Sequence, residues 1–431
     1  MIDYNHDIVE RIRTLYEISP PEKIRELVAK HFIPSTKEKQ DFAEIPTPIN
    51  LVDDMINIID KNFWKTKPKI LEPCCGKGNF VLALFDILYE HLECIYIYPY
   101  ETCKFIIEEC LYYIDISPLN VFITTELLKC HVQSYCGIEY VDFEFNKMIG
   151  DSLTMEINEK FDLIIGNPPY QNTNNNKGSG NTLWNLFVDK SLNEWLIEKG
   201  LLLYVHPRGW RQINSKVGNI MKEKQIIYLN MNSVNKGLET FKCATDYDYY
   251  LIENISVYKE TNIDDYKNKK YKYMINEELK FIPNHSLHEV FSLVDIVDDN
   301  GFINDQSLYE PRKKWMSKIQ SNEYKFPCVY SINSKNIISK KWSNRNDNGH
   351  FNVTKFIFSN GNGYYKDING EYGLTQWAYA IKCNKEDMDN VEKSFNSNKF
   401  NNIIDAINLT SNKYNYNVMK LFKKDFWKEF I

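Results

Sequence analysis

The stretch KFDLIIGNPPY, residues 160–170, ends an apolar run on a glycine, an amide, two prolines and a tyrosine. Residues 161–165 predict a buried strand, because the run is short, almost wholly apolar and bounded by Gly166. The two proline rings restrict the backbone that follows, so Asn167 and Tyr170 are held just beyond the strand. A strand that ends in this way indicates a ligand site at the edge of a sheet.

Strands and helices alternate on both sides of this stretch. Strands are predicted at residues 68–75, 111–117, 145–153, 160–167 and 200–207. Helices are predicted at residues 47–60, 78–92, 101–110, 118–132 and 182–200, the last one closed by Gly200. The alternation predicts an α/β fold with a doubly wound, mostly parallel, Rossmann-like sheet. Ligand sites are then expected at the carboxyl ends of the strands.

Two regions flank this predicted sheet domain of residues 44–258. Residues 1–43 carry apolar positions at helical spacing on either side of Pro20 and Pro21, and predict a helical extension. Residues 259–273 are polar and form either a linker or a sheet edge. Residues 259–431 are expected to form an α+β domain with strands joined by Asn-Gly turns.

Composition narrows the class of protein. The net charge of −6 argues weakly against a nucleic-acid partner, although local patches decide such binding. The ten cysteines include no C-x-x-C pair, which argues against a zinc site, and we expect no metal. No apolar run is long enough to cross a membrane, and the charged N-terminus is unlike a signal peptide. We therefore expect an intracellular, cytoplasmic protein with reduced thiols.

A basic segment at residues 311–345 contains nine Lys or Arg and a single acidic residue, Glu323. Trp315, Tyr324 and Trp342 are interleaved with the positive charges. This pattern indicates either a nucleic-acid-binding surface or an ordinary solvated surface with aromatic anchors.

Acidic residues end three successive predicted strands. Glu72 precedes a turn with Gly76 and Gly78, and a carboxylate there suits a ligand with an ammonium group. Asp115 can accept both ribose hydroxyls of a nucleoside; because Ser117 serves as the helix cap, we expect Asp115 to be free for this role. Asp151 can accept from an adenine amine. Alone, the glycine pair is more often a plain strand–helix turn, and a residue such as Asp115 is more often a helix cap. Together the three features predict a nucleoside site.

The Asn-Pro-Pro-Tyr sequence offers two carbonyl acceptors, from the Asn167 side chain and the Pro168 backbone. Two converging acceptors match the two protons of an –NH₂ group on a heteroaromatic ring, and Tyr170 offers a face for stacking. The alternative interpretation of this segment is a rigid turn.

Six segments in this order resemble the amino-methyltransferases of the restriction-modification type. They are EIPTP (44–48), LEPCCGKGNF (71–80), YIDIS (113–117), IGDSL (149–153), FDLIIGNPPY (161–170) and GLLLYVHPRGW (200–210). EIPTP before the glycine turn resembles the γ arrangement of that family, and the layout is also similar to adenine methyltransferases of large DNA viruses. Cys74 and Cys75 depart from the small or polar pair that is usual there.

The resemblance implies methyl transfer from S-adenosylmethionine to the N6 amine of adenine in double-stranded DNA, with the base flipped out. The implied cofactor residues are Thr47, Glu72, Gly76, Gly78, Asn79, Phe80, Asp115, Ile116, Asp151, Ser152 and Asn167. The implied catalytic residues at the target base are Asn167, Pro168, Pro169, Tyr170 and Phe241. Phe241 could equally be a core residue of a hairpin.

Further expectations concern DNA. After the fifth strand, Arg208 and Arg211 are expected to contact phosphates, together with His206, Lys216, Lys222 and Lys224. In the C-terminal domain, the candidates are Lys313, Lys314 and Trp315, and this domain is expected to recognise the DNA sequence. The tract 171–181 is expected to order over the flipped base or to be an inert loop. A cognate restriction endonuclease, if there is one, is expected to be a separate chain.

Rival functions share parts of this pattern. Release-factor glutamine methyltransferases also use an NPPY loop, because a side-chain amide is an –NH₂ group too. RNA adenine is another candidate substrate. Cytosine N4 is disfavoured because cytosine enzymes usually carry Ser in place of Asn167. A non-catalytic DNA-binding subunit with a methyltransferase fold would keep the layout but lack activity.

Overall fold

The computed structural model describes residues 2–19, 21–33, 45–93, 98–171, 182–295, 300–303, 308–347, 350–410 and 413–431. Contacts between residues divide the chain into two units. The first consists of Met1–Trp210 and Asn214–Leu279, and the second of Arg211–Ile213 and Lys280–Ile431.

The first unit is built on a nine-stranded sheet in the order β3-β2-β1-β4-β5-β7-β6-β8-β9. Its strands are β1 Ile70–Glu72, β2 Leu111–Asp115, β3 Asn146–Ile149, β4 Phe161–Gly166, β5 Leu196–Pro207, β6 Lys224–Asn232, β7 Tyr247–Ser256, β8 Thr261–Asp264 and β9 Lys270–Tyr273. Strands β3, β2, β1, β4 and β5 pair in parallel, and β7 is antiparallel to both β5 and β6. The predicted α/β class with a mostly parallel, doubly wound sheet is confirmed.

Helices of the first unit either precede β1 or lie between the strands that follow it. They are α1 Ile2–Ile18, α2 Pro21–His31, α3 Ile49–Ile56, α4 Lys61–Trp64, α5 Asn79–Leu92, α6 Pro99–Phe105, α7 Pro118–Cys136, α8 Trp184–Lys190, α9 Lys216–Lys222 and α10 Val234–Phe241. One-turn π-helical segments, Ile106–Cys110 and Ser191–Trp195, follow α6 and α8. Helix α5 is strongly apolar and buries residues around most of its circumference, from Phe80 to Leu92. Its burial against the parallel strands fixes the glycine turn that precedes it.

Strand order reverses between β1 and β4, which are direct neighbours in the sheet. From β1 the chain proceeds outward to β2 and β3, whereas β4 leads to β5 on the other side. Their register aligns Leu71 with Ile164, so the two strands end close together. In open α/β sheets this reversal leaves a crevice at the carboxyl ends of the strands.

The second unit contains two four-stranded sheets, ordered β10-β17-β14-β15 and β11-β13-β12-β16. The strands are β10 Phe302–Ile303, β11 Met316–Ser317, β12 Phe326–Ile332, β13 Ile338–Ser343, β14 Lys355–Ser359, β15 Tyr364–Asp367, β16 Gly373–Leu374 and β17 Ala378–Lys382. The helices are α11 Leu287–Phe291, α12 Met388–Asn396, α13 Asn398–Ala406 and α14 Tyr416–Met419. An aromatic-rich core includes Phe356, Phe358 and Trp427. The Asn-Gly turn predicted after residue 359 joins antiparallel β14 and β15.

The structure corrects one predicted helix end and decides between the two alternatives left open for residues 259–273. The helix predicted to run to Gly200 ends earlier, because β5 begins at Leu196 and pairs with Phe161 of β4. Strands β8 and β9 lie after residue 259 yet belong to the large sheet, where β8 pairs in parallel with β6. Residues 259–273 are therefore a sheet edge, and the contact boundary falls at Leu279.

Candidate active site

A cleft of about 290 Å³ lies at the carboxyl ends of β1, β2, β3 and β4 in the first unit. Its lining includes these sequence-predicted residues: Thr47, Glu72, Gly76, Asn79, Phe80, Asp115, Ile116, Asp151, Ser152, Asn167, Pro168, Pro169 and Tyr170. The fold thus brings together residues spread over more than 120 positions of sequence.

Glu72 ends β1 inside the cleft and is 2% exposed. Its Oε2 is buried and has no hydrogen-bond partner. Burial raises the pKa of Glu72 well above its usual range, the neighbouring Asp115 adds to the rise, and the backbone N–H of Val81 opposes it. A buried carboxylate oxygen without a donor is costly, so the site favours a ligand that brings a cation or an N–H donor.

Asp115 ends β2 and is engaged by the protein itself. Its Oδ2 accepts from the Gly76 backbone N–H at 2.9 Å, and its Oδ1 accepts from the Ser117 N–H at 2.8 Å and the Asn120 Nδ2 at 3.2 Å. Burial raises the pKa of Asp115, although these hydrogen bonds oppose the rise. The expectation that Asp115 is free is therefore wrong: its carboxylate holds the glycine turn in place, and one remaining lone-pair position is left for a ligand.

Asp151 and Ser152 follow β3 and line the cleft, but they differ in exposure to solvent. Asp151 is exposed, and its Oδ1 accepts from the Leu153 backbone N–H at 2.9 Å. Ser152 is buried and donates its hydroxyl to the Pro73 carbonyl, which joins the ends of β3 and β1. Asp151 is thus available to a ligand, whereas Ser152 stabilises the wall.

Asn167 follows β4, and its orientation is set by one hydrogen bond. Its Nδ2 donates to the Ile45 carbonyl at 3.3 Å, and its Oδ1 is buried without a partner. Because a carbonyl can only accept, the amide nitrogen must face Ile45 and the amide oxygen must face elsewhere. The cleft thereby contains a buried, unsatisfied acceptor at the predicted amine-binding position.

Tyr170 lies beside Asn167 in the cleft lining, beyond the two prolines. Burial raises the pKa of Tyr170, and the Asn167 side chain opposes the rise. The phenol is therefore neutral at physiological pH and offers a ring face rather than a charge. Its backbone carbonyl accepts from the Leu183 N–H at 3.2 Å, which fixes the residue on the side away from β4.

The segment 45–48 is held against the cleft from two sides. Asn79 Nδ2 donates to the Thr47 carbonyl at 2.8 Å, and Asn167 holds Ile45. Thr47 is buried, and Pro48 precedes α3 without a side-chain cap. The motif predicted to contact the cofactor is thus hydrogen-bonded to Asn79, which follows the glycine turn, and to Asn167, which follows β4.

Gly78 and Phe241 are not part of the cleft lining. Gly78 precedes α5 with φ of 87°, and a Cβ there would lie 3.1 Å from the Thr124 side chain. Its role is to allow the left-handed turn. Phe241 ends α10, not a hairpin, and its ring packs edge-on against Tyr247 at 5.0 Å.

The basic residues predicted after β5 are mostly engaged within the fold. Arg211 is 1% exposed and donates to the carbonyls of Ile282 and Pro283 and to Asn284 Oδ1. Arg208 forms an ion pair with Asp246 at 2.7 Å. The prediction that Arg211 contacts phosphates is wrong, because the guanidinium is buried.

His206 and Lys222 are likewise buried. The His206 ring stacks on Trp184 with centroids 4.1 Å apart, and burial lowers the pKa of His206 to about 3. The imidazole is therefore neutral. Lys222 donates to the Leu279 carbonyl. Neither side chain is accessible to a phosphate.

The basic residues of the second unit remain at its surface. Lys314 is exposed, Lys313 is half-exposed, and both precede the half-buried Trp315. Trp315 donates its Nε1–H to the Leu308 carbonyl at 2.8 Å. Lys313 and Arg345 lie 5.8 and 4.9 Å from its ring centroid. This group, called the basic-aromatic surface below, comprises Arg312, Lys313, Lys314, Trp315 and Arg345.

Several lining residues were not predicted from the sequence. They are Val28, Ala29 and Phe32 of the N-terminal helical region, and Leu183 and Phe187 around the start of α8. All are apolar residues at helical spacing, a pattern that indicates a core-facing side and does not distinguish a core from a ligand wall. Of the tract 171–181, only Gln171 lies in the described residues; it lines the cleft and pairs with Thr182 in an isolated bridge.

Residues 109–233 match the family model of the Eco57I restriction-modification methylases. Over this segment the chain is similar to restriction-modification methylases. The matched segment runs from β2 to the end of β6 and includes Asp115, Asp151 and Asn167. No curated protein sequence matches the chain.

Three solved structures with a similar fold match different shares of this chain. The ATP-dependent Type ISP restriction-modification enzyme LlaBIII bound to DNA gives a TM-score of 0.50 at 12% identity, over 95% of this chain and 40% of that one. A modification subunit described for a type I restriction enzyme of Vibrio vulnificus gives 0.40 at 16% identity, over 64% and 58%. A class I S-adenosylmethionine-dependent methyltransferase described from Listeria monocytogenes gives 0.38 at 14%, over 58% and 75%.

At 12% identity, the similarity to LlaBIII shows the fold alone. The chain spans about half the length of a type I restriction-modification structure that it also matches, with 50% of that chain covered.

The cleft residues fit S-adenosylmethionine. The partnerless Oε2 of Glu72 suits the ammonium group of its methionine part, and the exposed Asp151 suits a nucleoside amine. Among the described residues, no group of three or more His, Cys, Asp and Glu is arranged to hold a metal ion. Within the same residues, no helix has the length and apolar character of a membrane span.

Proposed function

We propose that this chain is a DNA methyltransferase that transfers a methyl group from S-adenosylmethionine to the N6 amine of adenine in double-stranded DNA, after the base is flipped from the duplex. One observation carries the proposal: the Asn167 Oδ1 is buried, has no partner and is turned away from Ile45 by the hydrogen bond of its own Nδ2. An acceptor of this kind is destabilising in the unliganded chain, and an amine proton satisfies it.

Asn167 and Pro168 are proposed to accept the two N–H groups of the target amine. With both protons held, the nitrogen lone pair stays free to form the new N–C bond as the methyl–sulfur bond breaks. The sulfur then leaves as a neutral thioether, and the methylated amine loses one proton to water. S-adenosylmethionine, when bound, supplies a methyl group on a positively charged sulfur. Tyr170 is proposed to stack on the base and Pro169 to keep the loop rigid, so positioning replaces acid–base catalysis.

Glu72 and Asp151 are proposed to hold the two ends of the cofactor. Glu72 lies at the end of β1 with an unsatisfied oxygen, and Asp151 is exposed after β3. Asp115 is proposed to contact the ribose through its remaining acceptor position while it holds Gly76. Thr47, Asn79, Phe80, Ile116 and Ser152 form the surrounding wall.

DNA binding is proposed for the basic-aromatic surface of the second unit. A row of exposed positive charges over aromatic rings can neutralise phosphates and stack on bases. Arg208 is proposed as a weaker contact, since its ion pair with Asp246 must be exchanged for a phosphate. The second unit is proposed to read the sequence.

The test uses the purified chain, tritiated S-adenosylmethionine and a long duplex DNA of mixed sequence. After incubation, the DNA is digested and its nucleosides are separated. We expect label in N6-methyladenine, formed about 10²- to 10³-fold more slowly with Asn167→Ala. Label in N4-methylcytosine would overturn the base assignment.

Matched arms separate the rival functions. Transcribed RNA of the same sequence tests RNA methylation, and a glutamine-containing release-factor protein tests amide methylation, because a side-chain amide also fits two acceptors. Calorimetric titration with S-adenosylmethionine separates an enzyme from a non-catalytic subunit. A chain that binds DNA but not S-adenosylmethionine would overturn the proposal.

A further inference from the structure

The cleft has an apolar wall that comes from the N-terminal helices. Val28 and Ala29 on α2, and Phe32 just after it, line the same cleft as Glu72 and Asn167. Val28 is 1% exposed and Phe32 is 9% exposed. The wall therefore consists of packed side chains with a surface toward the cleft, not of a solvated helix lying nearby.

Helix α2 faces the cleft because of its sequence spacing. Ile24, Val28 and Phe32 recur every four residues and are all buried, so they form one continuous stripe. Arg25, next to the stripe, forms an ion pair with Asp53 of α3 at 2.8 Å. Helix α3 follows directly after the 45–48 segment that Asn167 and Asn79 hold.

Helix α1 fixes the position of Phe32 from the other side. Arg11 donates to the His31 carbonyl at 2.7 Å, and its guanidinium lies 5.2 Å from the Phe32 ring centroid. The same helix is tied to α7: Tyr16 OH lies 2.9 Å from His131 Nδ1, and His131 Nε2 lies 2.6 Å from Asp86 Oδ1. Phe32 is thus held between α1 and the sheet domain.

We propose that Phe32, Val28 and Ala29 form a cofactor-contacting wall, so that cofactor binding and docking of α1 and α2 stabilise each other. The inference rests on the proposed function, because it takes the ligand of the cleft to be S-adenosylmethionine. A ligand that contacts only the docked arrangement must shift the docking equilibrium toward that arrangement. The coupling is reciprocal, so weaker docking lowers cofactor affinity.

The binding test compares two phenylalanine variants. Phe32→Ala removes the ring from the cleft, whereas Phe63→Ala removes a half-buried ring that packs on the same core but is absent from the cleft lining. Calorimetric titration with S-adenosylmethionine should show about tenfold weaker binding for Phe32→Ala, which corresponds to about 1.4 kcal/mol. Phe63→Ala should bind within about twofold of the wild type.

A second measurement uses the wild-type chain and needs no substitution. Hydrogen exchange of the backbone amides of residues 21–32 should slow by about fivefold or more when S-adenosylmethionine is added, since docking becomes more stable. The amides of α12, in the second unit, serve as the internal control and should change less.

The outcomes separate this inference from the proposed function. A wild-type chain that does not bind S-adenosylmethionine overturns both. A wild-type chain that binds, with unchanged exchange at residues 21–32 or with Phe32→Ala as tight as wild type, overturns the wall alone and leaves the proposed function intact.

Discussion

The cleft of the first unit and the basic-aromatic surface of the second differ in the exposure and hydrogen bonding of their polar groups. In the cleft, Glu72 is 2% exposed and keeps an oxygen without a donor, as does the buried amide of Asn167. On the surface, the Arg312 side chain is 89% exposed and pairs with Glu310. The cleft thus contains buried acceptors without donors, whereas the charged groups of the surface are exposed to water.

This difference should rank the effects of substitutions. A buried polar group without a partner costs about 1–3 kcal/mol, and a ligand that satisfies it recovers that cost. An exposed ion pair contributes about 0–1 kcal/mol and is screened by salt. Single cleft substitutions should therefore have large effects, and single surface substitutions small ones.

The largest effect is expected for Asn167→Ala. Loss of the buried acceptor should lower the turnover number by about 10²- to 10³-fold, because the amine is no longer held for attack. Methyl transfer to duplex DNA, measured in single-turnover reactions, checks this result. Cofactor affinity should fall much less than the rate.

Asn185→Ala is the matched control, since Asn185 is a half-buried asparagine on α8 outside the cleft lining. It should keep nearly full activity. Equal losses of methyl-transfer activity in both variants would show that Asn167 has no specific role in the reaction.

Arg211→Ala tests whether the buried guanidinium of Arg211 has a structural role in the second unit. The substitution leaves three acceptors, on Ile282, Pro283 and Asn284, without their donor. We expect unfolding of the second unit to become easier by about 3 kcal/mol. Urea unfolding followed by fluorescence measures the change.

Arg312→Ala is the exposed control and should change the same free energy by less than about 0.5 kcal/mol. If Arg211→Ala folded normally but lost salt-dependent DNA binding, Arg211 would be a phosphate contact after all.

Glu72→Gln should weaken S-adenosylmethionine binding by about 10- to 100-fold, because a buried carboxylate no longer faces the ammonium group. The unliganded variant should be more stable than the wild type at neutral pH, since burial of the ionised carboxylate is removed. Calorimetry and thermal unfolding give the two values. Unchanged affinity would mean that Glu72 does not contact the cofactor.

The pH dependence of the wild type sharpens this test. Burial raises the pKa of Glu72 in the unliganded chain, and an ammonium ligand favours the ionised form. Binding should therefore release a proton, and affinity should fall as the pH is lowered through the raised pKa. The free energy of unfolding depends on pH as well. Because folding raises the pKa of Glu72, this residue's contribution to stability is present below its unfolded-state pKa and is lost as the pH rises through its folded-state pKa. Glu72→Gln should show neither dependence.

The smallest effect is expected for Lys313→Ala and Lys314→Ala. Each should weaken DNA binding by only a few-fold and reduce the slope of log affinity against log salt by about 1. The maximal methylation rate should be unchanged. Fluorescence anisotropy at several salt concentrations checks this, with Lys385→Ala, which lies outside the basic-aromatic surface, as the control.

The sequence was informative where a local pattern has one physical outcome. Short apolar runs that end on acidic or amide residues became β1, β2 and β4, and the predicted Ser117 cap accepts from Asn120 at 3.4 Å. The sequence was misleading where the same type of side chain can be either buried or exposed at the surface. Arg211 and Lys313 look alike in sequence, yet one is buried and one is at the surface, and only packing decides between them.

Local sequence patterns specify the order of the strands along the chain and the residue types at their ends, because strand periodicity and proline-restricted turns are local properties. Which polar groups at those strand ends lack a hydrogen-bond partner depends on the packing of the folded chain. In the folded chain, Asp115 accepts hydrogen bonds from three donors, whereas Glu72 Oε2 and Asn167 Oδ1 have no donor. Folding also brings Phe32 into the cleft from outside the predicted sheet domain. The reason is that hydrogen-bond satisfaction in a buried site depends on neighbours distant in sequence, which no local pattern specifies.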